Sequence, residues 1–442
     1  STSYPSHEYA MSEKNCDSFK RLPSGSTTDT ESCKMGEREG GAVAWFTVLG
    51  SILVYYASFG VMNSFGFFQN FYHTEFLHET PLSQIALIGT MQMALMNSLA
   101  VVSGALCDLY GVKYLYAGSG AGTISALILL SFLQPNRFWA VFMTQGLLMG
   151  LTIAFGVQPA LTVVGQHFKE RRALAMGLVT TGSALGGIGF PLMFERLLPS
   201  VGFSNALRLA SVKIGVCYMI ALLISTSKPS HAKGSRRNCS SLIDFRGFLD
   251  RRYSVLCVGT WFAVLGMWIP SYYIKSYASA VYPGNNITQY FLCMLNGCSI
   301  AGAIFGGLLG DRIGRLNLLW PVAMVLGCLS LFLWSYSDSL ATLILFVCVY
   351  GFCASSVTAL PLSVIGQITP DDRLGSRMGA FYSVIAIASL VGTPVGGALI
   401  TDAGTKEGYR WLIVFSGAAI TTGSLLMFAS RVLHDKNLRH KW

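Results

Sequence analysis

Several polar side chains stand inside long apolar runs of this 442-residue chain: the amides Asn63, Gln158 and Asn296, the ammonium of Lys213, and the polar-edged rings of Trp268 and Tyr382. An amide donates and accepts, an indole or phenol stacks and hydrogen-bonds, and an ammonium pairs with an anion. Together these groups could hold an organic solute reversibly. No paired CxxC or HExxH spacing appears, and five histidines (His7, His73, His78, His231, His434) fall in tails or loops. No GxxxxGK[ST] loop is present either, so ATP-driven pumping by this chain alone is excluded. A membrane metalloenzyme does not fit, and neither an enzyme activity, a metal nor another cofactor is expected.

The runs that carry these residues look like membrane-crossing helices. Only 12% of the chain is charged, about half the usual share of roughly 25%, while 52% is hydrophobic and the mean hydropathy is +0.52. Twelve apolar stretches can be marked, near 43–68, 83–106, 112–133, 138–164, 173–194, 206–225, 255–276, 289–309, 316–335, 340–368, 377–400 and 411–432. Each approaches the roughly 20 residues that a bilayer requires. Polar groups facing lipid are costly, so those at mid-depth are site candidates. Asn63 lies among Gly60, Ser64 and Gly66, and reads either as a free amide or as an interhelical hydrogen bond worth under about 1 kcal/mol. Gln158 precedes Pro159, which loosens its helix, and is favoured over Gln145 thirteen residues earlier. Gln92 and Asn97 are five apart and do not fully share a helix face. Trp268, Tyr272 and Tyr273 surround Pro270, as an interface belt or as substrate-facing rings.

A net charge of +10 would suggest nucleic acid if one face carried it, but the basic residues sit in short loops between apolar runs. With the N-terminus inside, tails and inner loops hold about 24 of the 31 Lys and Arg, so both tails are expected in the cytoplasm. The sequon Asn286-Ile287-Thr288 then falls outside as a glycosylation candidate, and Asn238-Cys239-Ser240 falls inside. The expected organisation is a disordered cytoplasmic tail (1–41) with no signal peptide, a six-helix half (42–227), a basic cytoplasmic linker (228–252), a second six-helix half (253–432) and a short tail (433–442). The linker, with Lys233, Arg236, Arg237, Arg246 and Arg251, reads as a solvated connection or as a binder of anionic lipid. Most of the eleven cysteines, such as Cys257, Cys293 and Cys353, lie in apolar runs and read as packing residues.

An internal repeat supports the two halves. Gly104, Asp108, Gly111 and Lys113 recur about 200 residues later as Gly307, Asp311, Gly314 and Arg315, with Arg312 following the second aspartate. Gly165-Gln166 before Arg171 and Arg172 is echoed by Gly366-Gln367 before Asp372 and Arg373. On these residues the chain resembles the major facilitator superfamily, whose inner loops carry a Gly-xxx-Asp-Arg-x-Gly-Arg pattern; Leu109 stands where that family usually has a basic residue. Stretch 167–178, with Gly182 to Gly187, Trp45, Leu207-Arg208 and Leu295-Asn296-Gly297, is similar to fungal members of its monocarboxylate-transporter-like branch.

The resemblance implies an all-α membrane fold of twelve helices in two six-helix pseudo-repeats, with cargo bound between halves near mid-membrane and exposed alternately to each side. It implies a latch, in which Asp108 meets the start of span eleven near Arg377, and Asp311 the start of span five with Arg171 or Arg172; Lys113, Arg312 and Arg315 complete it. Arg208 reads as structural or as part of an outer gate, and Lys213 as a partner for an anionic substrate or as a snorkelling lysine. Animal monocarboxylate carriers have a Lys late in span one and an acidic and Arg pair in span eight. Met62 or Asn63, and Ser299 and Ala303, stand there instead. The expectation is a plasma-membrane secondary transporter that exports a specialised metabolite or moves a larger organic weak acid. Its partners are a small organic solute, the lipid bilayer and protons as a candidate coupling ion, with no nucleic acid. The alternatives are a proton-coupled monocarboxylate importer and a non-transporting sensor.

Overall fold

Helix is the only regular element in the computed structural model among the residues it describes, 41–168, 172–227, 245–369 and 374–435. Lipid offers backbone groups no partners, and a helix satisfies them within its own segment. The first crossing comes in three pieces, α1 (Ala42–Ala57), α2 (Phe59–Asn63) and α3 (Phe65–Phe71), offset at Ser58 and Ser64. Next are α4 (Leu82–Ser98) and α5 (Ala100–Tyr110), then α6 (Val112–Leu130), α7 (Phe138–Val141) and α8 (Met149–His167). The 53-residue α9 (Arg172–Ile224) follows. The second part holds α10 (Arg251–Met267), α11 (Ile269–Val281), α12 (Phe291–Ile313), α13 (Arg315–Cys328), α14 (Leu340–Ile368), α15 (Leu374–Ala398) and α16 (Arg410–His434).

Among the described residues nine helical stretches are long and apolar enough to cross a membrane, or ten when α4 and α5, bent by 48°, count as one. Two local features separate this count from the twelve runs read in the sequence. The runs 173–194 and 206–225 are continuous in α9, interrupted at Gly202 where φ is +76° and ψ 168°. In α6, Lys113 and the small polar stretch Gly118 to Ser125 dilute the apolar character. The linker is also shorter than expected at its end, since a helical turn at Phe245–Leu249 and α10 already occupy 245–252; Lys233, Arg236, Arg237 and Asn238 lie outside the described residues.

Residues from Glu39 onward pack as one unit. Helices α1, α4, α6, α8 and α9 pack among themselves, as do α10, α12, α13, α14 and α16, and the two sets meet where α4 lies on α15 and α9 on α12. The starts of α1 and α10 and the ends of α9 and α16 share one face, called here the tail side. There Thr47 and Thr226 hydroxyls are 3.2 Å apart, and Ser430 donates to the Arg252 carbonyl at 3.0 Å. Gly111 and Gly314, the shared glycines of the repeat, both lie on this side with φ of +82° and +104°. Each ends a helix in a conformation that a side chain would strain, which explains glycine in both copies.

Candidate functional site: a cavity between the two sets of helices

A cavity of about 310 Å³ lies where the two sets of helices face each other, with walls from both. Its aromatic side runs from Tyr55 through Phe59 to Trp268, with ring centroids 6.0 and 6.4 Å apart. Pro270 explains the position of Trp268: the second residue of α11 lacks an N–H, the helix breaks just before it, and Trp268 occupies the joint between α10 and α11. Asn63 sits at the break between α2 and α3, with its amide oxygen buried and without a hydrogen-bond partner among the described residues. On α8 the buried Gln158 precedes Pro159, and the Tyr382 hydroxyl of α15 approaches its amide. Asn296 donates to the Leu292 carbonyl at 2.8 Å and to the Gly187 carbonyl at 3.4 Å, so α12 is tied to α9 at the wall.

Five of the six candidate substrate residues, Asn63, Gln158, Trp268, Asn296 and Tyr382, therefore line one cavity. Lys213 does not. Its ammonium lies 5.0 Å from the ring centre of Tyr56 and 4.8 Å from that of Phe190, so two π faces stabilise it in place of an anion. Gln92 and Gln145 are also used elsewhere: Gln92 Nε2 donates to the Gln145 carbonyl at 2.6 Å, and Tyr72 donates to the Gln145 side chain. Asn97, named in the sequence but not chosen as a site residue, lines the cavity, and its Nδ2 donates to Ser389 Oγ at 3.1 Å across the two sets. Sequence reasoning missed the methionines Met93, Met96, Met176 and Met267 in the wall. In an apolar run a methionine carries no sign of the direction it faces.

The cavity is closed at one end. Away from the tail side α3 and α11 touch so closely that any side chain at Gly66 would run into the Ser271 carbonyl oxygen, and Phe65 packs on Tyr272 at 5.2 Å. At the other end Asp311 and Arg315, partly exposed on the tail side, line the opening.

Family comparison gives the arrangement its frame. Residues 44–295 and 284–441 match the Major Facilitator Superfamily. The chain belongs to this superfamily. An MFS-type transporter of Aspergillus niger, pynF, is 32% identical over 398 residues, 88% of each chain. The agnestins efflux protein of Paecilomyces divaricatus is 30% identical over 389 residues, 88% of this chain and 87% of its own. Among solved structures, a D323A mutant of the nucleoside transporter NupG superposes with a TM-score of 0.69 at 12% identity, over 87% of this chain and 99% of that one. The protein is thus a multi-pass membrane protein and a secondary transporter of the major facilitator type.

The loop residues of a superfamily member can now be placed. Asp311 meets Arg315, one turn on, at 3.1 and 3.2 Å, and Arg315 also donates to the Ser363 carbonyl at 3.1 Å. Asp311 and Arg315 thus pair across the Gly314 turn, from the end of α12 to the start of α13. Arg171 and the side chains of Arg172 and Asp108 lie outside the described residues. The Arg377 guanidinium lies 5.7 Å from the Tyr253 ring centre, and its carbonyl accepts from that hydroxyl at 2.7 Å. Lys113 and Arg312 are exposed. Arg208 reaches Ser131 and Asn205 at 3.4 Å and lies over Phe132 at 5.1 Å, on the side away from the tails. Asn286 is exposed in the loop after α11 on that same side.

Proposed function

We propose that this transporter exports a mostly uncharged, ring-containing organic molecule, a specialised metabolite or a larger weak acid, across the plasma membrane with both tails in the cytoplasm. The observation that carries the reading is the cavity wall: rings, thioethers and amides surround it, one amide oxygen of Asn63 lacks a partner, and the charged lining pair, Asp311 and Arg315, sits at the mouth with its charges matched. A desolvated carboxylate would need a cation deeper in, and Lys213 faces Tyr56 and Phe190 instead. A cargo with aromatic or fused rings would stack on Phe59 and Trp268 and donate to Asn63, while unbranched methionines adapt to its outline. The name of the agnestins efflux protein supports export as the direction.

Tail-side opening then corresponds to the cytoplasmic state, in which cargo enters before the far side opens. Asn63, Gln158, Trp268, Asn296 and Tyr382 are the proposed cargo contacts, and Arg208 a structural residue of the outer end. Twelve crossings in two halves and a proton as coupling ion remain part of the proposal, and no covalent chemistry is assigned. Ser299 and Ala303 in the cavity wall, where the animal carriers have charge, argue against lactate-sized monocarboxylates.

An untargeted comparison of metabolites in cells and medium, with and without the protein, tests the reading. Loss of the protein should deplete a ring-containing solute from the medium and raise it in the cells. Cargo binding with no flux in either direction would identify a sensor instead. Orientation has its own test: glycan mapping should modify Asn286 and leave Asn238 bare, and the reverse pattern would invert the topology.

A further inference from the structure

The closed end of the cavity holds an ion pair that the sequence motifs do not announce. Lys275 of α11 donates to Glu195 Oε1 of α9, joining the two sets of helices. The lysine side chain is 11% exposed and the glutamate 28%. The ammonium also lies 4.3 Å from the ring centre of Phe67 on α3, and Cys293 on α12 is close enough to feel both charges. Beside it Ser276 of α11 donates to Asn70 Oδ1 of α3 at 3.3 Å, and Gly66 abuts Ser271. Among the described side chains, the other ion pairs join neighbours on the same side of that division: His78 with Glu79, Arg315 with Asp311, Lys406 with Asp338.

We infer that Glu195 and Lys275 are the releasable gate of the far side, formed when the cavity opens to the tails and broken each time it opens the other way. Two mostly buried charges are stable together only while they touch. Rocking α9 away from α11 separates them, and water must then hydrate each. The pair therefore adds stability to one access state and none to the other, which is what a gate in a two-state carrier requires. A simple stability role is less economical: a bond between elements that must part in every cycle cannot be a permanent brace. The inference rests on the transporter assignment and holds for any cargo.

The native Cys293 provides the readout, since it sits in the seam with its thiol directed at the Ile188 carbonyl, 3.8 Å away. Full-length protein in membranes would be treated from the far side with a membrane-impermeant thiol reagent, and labelling of each cysteine read by peptide mass spectrometry. Glu195→Gln and Lys275→Met should each speed labelling of Cys293 by about tenfold, as the tail-open state loses its pair. The buried Cys107 and Cys257 should stay at their wild-type rates. The exchanged double variant Glu195→Lys with Lys275→Glu should return Cys293 to slow labelling. An unchanged Cys293 rate in Glu195→Gln would overturn the gate, as would a parallel rise at Cys257, which signals general loosening. Because no cargo enters the assay, neither result bears on which solute is carried.

Discussion

The two ends of the cavity are built from different chemistry. At the far end, backbone meets backbone at Gly66 and Ser271, rings pack at Phe65 and Tyr272, and a mostly buried ion pair bridges α9 and α11. At the tail end the charges are Asp311 and Arg315, a pair with side chains 48% and 28% exposed, formed within consecutive helices of one set. Burial makes the first assembly costly to break, whereas solvent leaves an exposed pair of the second kind about 0 to 1 kcal/mol. The contrast shows which end is shut.

That asymmetry can be broken most severely at Gly66. Gly66→Leu places a side chain against the Ser271 carbonyl and should keep α3 and α11 apart. Cargo export should fall by about tenfold or more, with membrane insertion intact; export at the wild-type rate would show that the contact is not needed for the cycle. A smaller effect is expected at the open end. Asp311→Asn removes the negative charge paired with Arg315 and should change export by about threefold, because the pair is partly exposed; initial export rates at matched protein level would measure it. The smallest effect is predicted for Lys213→Met. With its ammonium over Tyr56 and Phe190 and away from the cavity, the change should alter transport of an anionic and a neutral cargo alike, within about twofold. A selective loss of the anion would put Lys213 back in the cargo path.

Much of this was legible before the structure, and the reasons differ by residue. Long apolar runs marked the helices because lipid demands apolar length, and paired glycines marked the two loops because Gly111 and Gly314 both need positive φ. Asn63, Gln158, Asn296, Trp268 and Tyr382 stood out because polarity inside apolar sequence is costly unless it is used. Depth along a helix does not give the direction a residue faces, so the sequence leaves Lys213 open between an anionic substrate and snorkelling, whereas its ammonium lies over two rings. The same limit hid Met93 and Met96. Glu195 and Lys275 stand 80 residues apart near the ends of apolar runs, and only the contact of α9 with α11 makes them a pair. The breaks at Ser58 and Ser64 carry no proline to announce them; Ser64 Oγ instead donates to the Gly60 carbonyl at 2.8 Å.

The central claim is that cargo is held in this cavity by amides and rings and not by a buried cation. It is tested most directly in proteoliposomes, with the solute found by metabolite comparison and with lactate, each with and without an imposed pH gradient. For the ring-containing solute, Asn63→Leu and Gln158→Leu should each raise KM by about fivefold to tenfold, the loss of one or two hydrogen bonds, and lactate uptake should stay at the level of empty vesicles. Fast, proton-driven lactate uptake that is indifferent to both substitutions would contradict the account.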